Sequence, residues 1–429
     1  MSFFTLLFLG MLLFSIGLDF WLDHRQQQHV LRHRAAVPAA FAGQIPLADH
    51  QKAADYTVAK LKLGRWDRAI ELALLLLMTL GGGLQWLHAL LGSIPQWLHA
   101  QLGSIASPEG QGVALMLSFM LITSLVGLPM GICRTFGVER RFGFSTITPQ
   151  LFALDFVKST LLTLAIGTPF LWLVLWLFGS MGDYWWVWVW TAVISFQLIA
   201  LVIYPLWIAP LFNRFSPLAD EALKTRIESL LTRCGFTSNG VFIMDGSKRS
   251  RHGNAYFSGL GRMKRIVFFD TLMAKLQPQE IEAVLAHELG HFRHGHIKKR
   301  LWLMSALMLA ALFGLSRLYA WPGFFTGLGI TDPAAHTPAM ALLLFMLVLP
   351  VFLAVLAPLF KQLSRRDEFE ADRFAAQHTQ AADLTSALVK LYQDNAATLT
   401  PDPLYSAYHD SHPPAPVRIA ALNALETPT

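Results

Sequence analysis

His287-Glu288-Leu289-Gly290-His291 is the stretch of this sequence that says most about its fold. Two histidines four positions apart lie one helical turn from each other on the same face, and a carboxylate lies beside the first. This is the arrangement of two zinc ligands and a general base for water. Pro278 suits a first helical turn. Apolar residues then recur at helical spacing, at Ile281, Val284, Leu285 and Leu289. The alternative is a helix that carries these residue types without binding a metal.

A second charged segment, residues 364–372, reads SRRDEFEAD. Glu368 and Asp372 are four positions apart and therefore share a helical face. Catalytic zinc usually takes three protein ligands and keeps one position for water. One carboxylate can complete the ligand set, and the other can accept the free ring N–H of a ligating histidine. Alone, the segment is equally typical of a solvated helix whose acids pair with neighbouring arginines. Beside a helix with two histidine ligands, it favours a site for one Zn²⁺.

Composition indicates a membrane protein, because 54% of the 429 residues are hydrophobic and only 14% are charged. Apolar runs near or above the ~20 residues that cross a bilayer lie at 2–22, 70–94, 113–133, 160–180, 185–209, 301–321 and 340–362. The first run has no basic segment before it and no clear cleavage site, so we interpret it as a retained anchor. The second is interrupted by three glycines at 81–83, where it can bend.

The positive charges predict the orientation of these spans. Of the 34 Lys and Arg residues, all but Arg317 fall in alternate loops and the C-terminal tail. The positive-inside rule places those loops in the cytoplasm and the N-terminus outside. The net charge of +6 has the same origin, and no nucleic-acid-binding motif accompanies it. A bacterial inner membrane is the favoured location, with the active site facing the cytoplasm; the endoplasmic reticulum is the alternative.

The long polar stretch at 210–300 predicts a small α+β unit, with a helix from Leu218 to Leu231. Short strands are predicted at Gly240 to Met244, Ala255 to Phe257 and Arg265 to Phe269. The chain then divides into spans one to five (1–209), the polar catalytic segment (210–300), spans six and seven (301–362) and a C-terminal segment (363–429).

Two further patterns say less about function. Residues 85–94 recur almost unchanged at 96–105 with an 11-residue period, which favours a local duplication over a metal pair formed by His88 and His99. The two cysteines, Cys133 and Cys234, exclude a disulfide framework.

Taken together, the seven spans, residues 287–291, residues 364–372, Asn254-Ala255-Tyr256-Phe257 and Ser411-His412-Pro413-Pro414 resemble the type I CAAX prenyl endopeptidases. The resemblance implies a mainly α, polytopic membrane protein whose helices form a chamber, with a small α+β zincin-type catalytic domain. The roles it implies are zinc ligation by His287, His291 and Glu368, general-base catalysis by Glu288, support of a ligand histidine by Asp372, contact of His412 with the zinc-bound oxygen, and substrate binding by Asn254, Ala255 and Tyr256 on an edge strand.

Alternatives remain for these assignments. Asn254 can instead make a turn, and His412 can cap a helix. His294 and His296 are interpreted as solvated basic residues. The predicted function is that of a membrane-embedded zinc metalloendopeptidase acting on peptide or protein substrates, which the resemblance implies are prenylated at their C-termini. Quality-control proteolysis is the alternative within the enzyme class. A transporter or non-catalytic chaperone is disfavoured, because ionisable residues inside the spans are few and near their ends.

Overall fold

A computed structural model describes residues 2–93, 107–258 and 265–426. The N-terminal helices are α1 (Phe3–His33), α2 (Leu47–Met78), α3 (Gly83–Gly92), α4 (Pro108–Ile132), α5 (Pro149–Ser180), α6 (Trp185–Ile203) and α7 (Ala209–Phe212). The polar segment contains β1 (Phe215–Pro217), α8 (Glu221–Arg233), β2 (Val241–Met244), β3 (Ala255–Ser258), β4 (Arg265–Phe269), α9 (Asp270–Met273) and α10 (Pro278–Arg293). The remainder forms α11 (His296–Tyr319), α12 (Pro322–Gly327), α13 (Pro338–Leu353), α14 (Ala357–His378), α15 (Ala381–Asp394), α16 (Pro403–His409) and α17 (Ala415–Glu426).

The helical part of the described chain is built to cross a membrane. Six helical segments are long and apolar enough to do so, and a seventh results if α2 and α3 are taken as one span bent by 56°. The bend falls at the predicted glycine break, where Gly82 has a φ of +75°. The predicted fold class is confirmed. The second copy of the 11-residue repeat lies outside the described residues.

The membrane helices share one apolar core. Buried side chains from the first spans, including Phe8, Leu84 and Leu115, pack in the same cluster as Leu315 and Leu344 from the last two spans. The two ends of the chain are therefore held in one bundle, and the polar segment is inserted between its fifth and sixth predicted spans.

The polar segment forms a four-stranded mixed sheet of order β1-β2-β4-β3. The central pair β2 and β4 is parallel, and both outer strands are antiparallel to their neighbours. β3 is thus an edge strand, as the resemblance implied. β1 was not predicted, because a three-residue strand that ends in proline gives almost no periodic signal.

Two boundaries differ from their predicted positions for local reasons. α8 begins at Glu221 instead of Leu218, because the Asp220 side chain accepts the Leu223 N–H at 3.0 Å and caps the helix there. β2 begins at Val241 because Gly240 has a φ of +102°, outside the strand region.

α10 packs closely against α14 in a second apolar core, which the polar segment forms with the C-terminal helices. A Cβ atom at Gly290 would lie 2.9 Å from the Ala371 Cα and 3.1 Å from the Phe374 Cβ, so only glycine fits at this crossing. Ala371 itself is fully buried. The small residues on both helices bring residues 287–291 against residues 364–372.

Gly290→Ala should therefore destabilise the protein. Overpacking a fixed contact costs about 1–3 kcal/mol, and we expect the thermal unfolding midpoint in detergent to fall by several degrees. Gly314→Ala on α11 is the matched control, since a Cβ there meets nothing within 4 Å. Equal melting of both variants would show that the α10–α14 crossing tolerates a side chain.

Candidate metal centre and active site

α10 is anchored at its start and along its buried face. Gln277 and Glu280 form a reciprocal capping box, and the Glu280 carboxylate also binds Ser386 and Lys390 of α15. Further along, buried Glu282 pairs with two arginines of α8. These contacts fix the helix that carries the two motif histidines.

His287, His291 and Glu368 converge at the crossing of α10 and α14. The two Nε2 atoms lie 3.2 Å apart, and the Glu368 oxygens lie 3.5 Å from His287 Nε2 and 3.4 Å from His291 Nε2. Ligand atoms about 2.0–2.1 Å from a tetrahedral zinc ion are separated by about 3.3–3.4 Å. The two imidazole nitrogens and the Glu368 carboxylate therefore have the chemistry and the spacing of a tetrahedral metal site.

Behind His287 lies a buried ion pair. The His287 Nδ1 atom is 2.9 Å from Asp372 Oδ1, so it donates to the carboxylate and leaves the Nε2 lone pair free. Arg418 of α17 holds the same carboxylate with two hydrogen bonds, Nε to Oδ2 at 2.8 Å and Nη2 to Oδ1 at 2.5 Å. Carboxylate support of this kind fixes the tautomer of a ligand histidine.

His296 is the one predicted bystander that the structure reassigns. Its interpretation as a solvated basic residue is wrong, because only 4% of its side chain is exposed. Its Nδ1 atom lies 3.0 Å from His291 Nδ1, and its Nε2 atom lies 3.0 Å from Glu370 Oε2. The turn at Gly295, with a φ of +67°, directs α11 back beside α10. His294 is exposed, 3.9 Å from Glu370.

Glu288 faces a cavity of about 390 Å³ that runs past His287 and Glu368 to the edge strand. Burial raises the pKa of the Glu288 carboxyl above its usual 4.5, and the two motif histidines counteract part of that rise. A carboxylate with a raised pKa is a better proton acceptor, which suits a general base.

The predicted substrate residues lie at different places relative to this cavity. Asn254 and Ala255 line it, and the Asn254 Oδ1 atom accepts the Ala255 N–H at 2.8 Å. That N–H thus points away from β4, toward the open edge of the sheet. The Tyr256 side chain packs on Phe269 instead, and the alternation of a strand turns it away from Ala255.

His412 connects the cavity to a second one. Its Nε2 atom is 3.2 Å from Glu368 Oε1. The second cavity, about 560 Å³, is lined by α1, α2 and the 392–414 region and shares Tyr392, Ala397 and His412 with the first. His412 does not cap α17, which begins at Ala415.

Comparison with known proteins gives matches along nearly the whole chain. Residues 26–214 match the family described as CAAX prenyl protease N-terminal, five membrane helices, and residues 217–426 match Peptidase family M48. The chain belongs to peptidase family M48. CAAX prenyl protease 1 from Saccharomyces cerevisiae is 33% identical over 96% of this chain and 94% of its own length. The CAAX prenyl protease 1 homolog from Homo sapiens is 30% identical over 98% and 96%. The crystal structure of S. mikatae Ste24p superimposes with a TM-score of 0.91 at 30% identity, covering 99% of this chain and 100% of that one.

As an M48 member the protein is a metalloprotease and a multi-pass integral membrane protein. The family implies a metal, and the residues fit one. Glu368 Oε2 is buried without a hydrogen-bond partner. Glu288, Glu368 and Asp372 face one guanidinium, that of Arg418. The excess of two negative charges is what a divalent cation neutralises.

Arg418 is the site residue that sequence reasoning missed. It lies 46 residues beyond Asp372 on a helix of its own, and no spacing rule links the two positions. A lone arginine in an otherwise apolar stretch, Ile419-Ala420-Ala421-Leu422, is the only local signal. Such a signal predicts a buried charge without naming its partner.

Arg418→Met should destabilise the protein strongly, because breaking one side of a buried ion pair costs about 3–5 kcal/mol. The double variant Asp372→Asn/Arg418→Met should recover part of that loss, since it removes both charges. Unfolding of the metal-free protein measures both effects. Arg373→Met is the matched control, because Arg373 is exposed on α14. If Arg418→Met were as stable as Arg373→Met, the Asp372–Arg418 ion pair would not stabilise the fold.

Proposed function

We propose that the protein is a zinc metalloendopeptidase in which His287, His291 and Glu368 bind one Zn²⁺ and Glu288 activates water. The observation that carries the proposal is the convergence of the two Nε2 atoms and the Glu368 carboxylate oxygens at 3.2–3.5 Å. His287 and Glu368 line the same cavity as Glu288 and the edge strand. A reacting peptide, a water and a base can meet there.

The chain's own residues supply proton transfer and charge stabilisation. Bound zinc would polarise the scissile carbonyl and lower the pKa of water. Glu288 accepts the proton of the attacking water at its carboxylate and later donates it to the departing amine nitrogen. His412 would donate from Nε2 toward the oxygen on which negative charge develops. Asp372 keeps the His287 proton on Nδ1.

Substrate would bind as an extra strand on β3. The Ala255 N–H is held by the side chain of its neighbour Asn254, so an extended peptide can replace that contact with its own carbonyl at no cost in unpaired donors. Backbone pairing of this kind gives affinity with little side-chain selectivity. Ala255 would then pair with the substrate through its backbone, and Asn254 would contact it from the cavity wall. Tyr256 is paired with Val267 of β4, so its backbone groups would hold the edge strand in place instead of contacting the substrate.

The substrate class follows from the relatives and the cavities. The yeast and human relatives are named CAAX prenyl proteases, which supports protein C-termini carrying a prenyl group as substrates. A prenyl chain buried against apolar helices would favour binding by ~25 cal/mol per Å². It would not take part in the bond cleavage, so unprenylated peptides should be cleaved less efficiently but still cleaved.

A cytoplasm-facing active site in a bacterial inner membrane is the location we propose, on the partition of Lys and Arg between alternate loops. Single cysteines at exposed Thr331 and Ser247, in a background without Cys133 and Cys234, test the orientation. An impermeant thiol reagent should label position 331 on intact cells and leave position 247 unlabelled until lysis. Labelling of 247 from outside would invert the orientation.

Measuring the zinc content of purified variants should distinguish the metal ligands from the general base. Glu288→Gln should keep a full complement of zinc and lose peptide hydrolysis, because it preserves the side-chain shape and removes the proton acceptor. His287→Ala, His291→Ala and Glu368→Ala should lose both. Glu228→Gln, at an exposed position of α8, controls for the loss of a carboxylate as such. Full zinc occupancy in Glu368→Ala would exclude Glu368 as a ligand.

Strand pairing predicts a period of two in the response to backbone methylation. Amides that face β3 should each lose kcat/KM by roughly five- to a hundred-fold when N-methylated, the value of 1–3 kcal/mol for a lost buried hydrogen bond. The intervening amides face away and should respond weakly. Matched farnesylated and unmodified peptides separate the lipid's contribution. Uniform tolerance of methyl groups would exclude β3 as the binding edge.

A further inference from the structure

A polar cluster of His296, Asp367 and Glu370 lies behind His291. The mechanism above does not use it. We propose that His296 is a positioning residue: it fixes the tautomer and ring orientation of His291 through a relay of two imidazoles that ends on Glu370 and Asp367. This inference rests on the proposed function to the extent that His291 is a metal ligand through Nε2.

Three distances define the relay. His291 Nδ1 lies 3.0 Å from His296 Nδ1. On the far side of the second ring, His296 Nε2 lies 3.0 Å from Glu370 Oε2 and 3.5 Å from Asp367 Oδ1. The relay joins the end of α10, the start of α11 and α14, so it depends on the same helix crossing that assembles the ligands.

The positions of the protons follow from the ligand role. A neutral imidazole that offers its Nε2 lone pair to a metal carries its proton on Nδ1. That proton points at His296 Nδ1, which must therefore present a lone pair. The His296 proton then lies on Nε2, where Glu370 and Asp367 accept it. Every donor meets an acceptor, and no other assignment of neutral rings leaves His291 free to bind.

The two ligand histidines are thus held by different groups. His287 Nδ1 donates directly to Asp372, 2.9 Å away, and Arg418 neutralises that carboxylate. His291 donates to a neutral imidazole, with the carboxylates one ring further out. His296 is almost fully buried.

A second cation is the competing interpretation of the same cluster, since ligand atoms of His296, Asp367 and Glu370 lie within 4.8 Å of one another. A cation there would need the His296 Nε2 lone pair. The His296 proton would then lie on Nδ1 and face the His291 Nδ1 proton across 3.0 Å. The two sites would exclude each other with neutral rings, which favours the relay.

Two nearly isosteric amides separate the two ends of the His296 ring. An asparagine amide falls near the Nδ1 position and can still accept from His291, whereas a glutamine amide falls near the Nε2 position and reaches Glu370 alone. We expect His296→Gln to bind zinc about 10–100-fold more weakly than the parent, the range for lost outer partners of a ligand. His296→Asn should stay close to the parent. Chelator competition measures both affinities, and the visible absorption bands of the Co²⁺-loaded proteins should shift in the glutamine variant only.

Melting of the metal-free variants controls for packing. If the glutamine and asparagine variants lost thermal stability and zinc affinity to the same extent, His296 would be a structural residue and the proposal would be overturned. Affinities equal to the parent in both would do the same. Two zinc ions per chain, one of them lost in Glu370→Ala, would assign the cluster to a cation instead. The ligand set itself fails only if Glu368→Ala keeps full occupancy, an outcome that the His296 variants do not affect.

Discussion

Gly290 permits the close contact between α10 and α14 on which the rest of the site depends. A Cβ atom at that position would lie 2.9 Å from the Ala371 Cα. Only glycine therefore allows α10 to lie this close to α14. His287 and His291 lie on one side of this contact, and Glu368 and Asp372 lie on the other. Because the residues of each pair are four positions apart, both lie on the helix face that meets the crossing, and four side chains come together there.

The crossing also ties the chemistry to the membrane. α11 follows α10 directly through Gly295, and α14 continues the last membrane-crossing segment, which spans Pro338–His378. Glu368 therefore follows the last span of a membrane hairpin, and the two motif histidines precede its first span. A catalytic domain cut away at residue 300 would lack Glu368, so the bilayer-embedded helices are part of the site's geometry.

Features of the fold and site that show as a local sequence pattern could be predicted, and those without one could not. The motif helix, the Glu368–Asp372 pair and most spans followed from periodicities of three to four residues or from long apolar runs. The edge position of β3 and the proposed role of His412 needed the family resemblance. The positions of Arg418 and His296 could not be predicted, because each pairs with groups on another helix, and the pairing exists only after folding. β1 escaped because three residues carry no period, and the strand is held by its neighbour β2.

Zinc K-edge X-ray absorption of the purified protein tests the central claim most directly, since it counts the donors around the metal. The account predicts two imidazole nitrogens and oxygen donors near 2.0–2.2 Å, without sulfur, and a shell that loses an oxygen donor in Glu368→Ala while Glu288→Gln leaves it unchanged. A sulfur contribution, or a shell unaltered by Glu368→Ala, would contradict the site built at the crossing of α10 and α14.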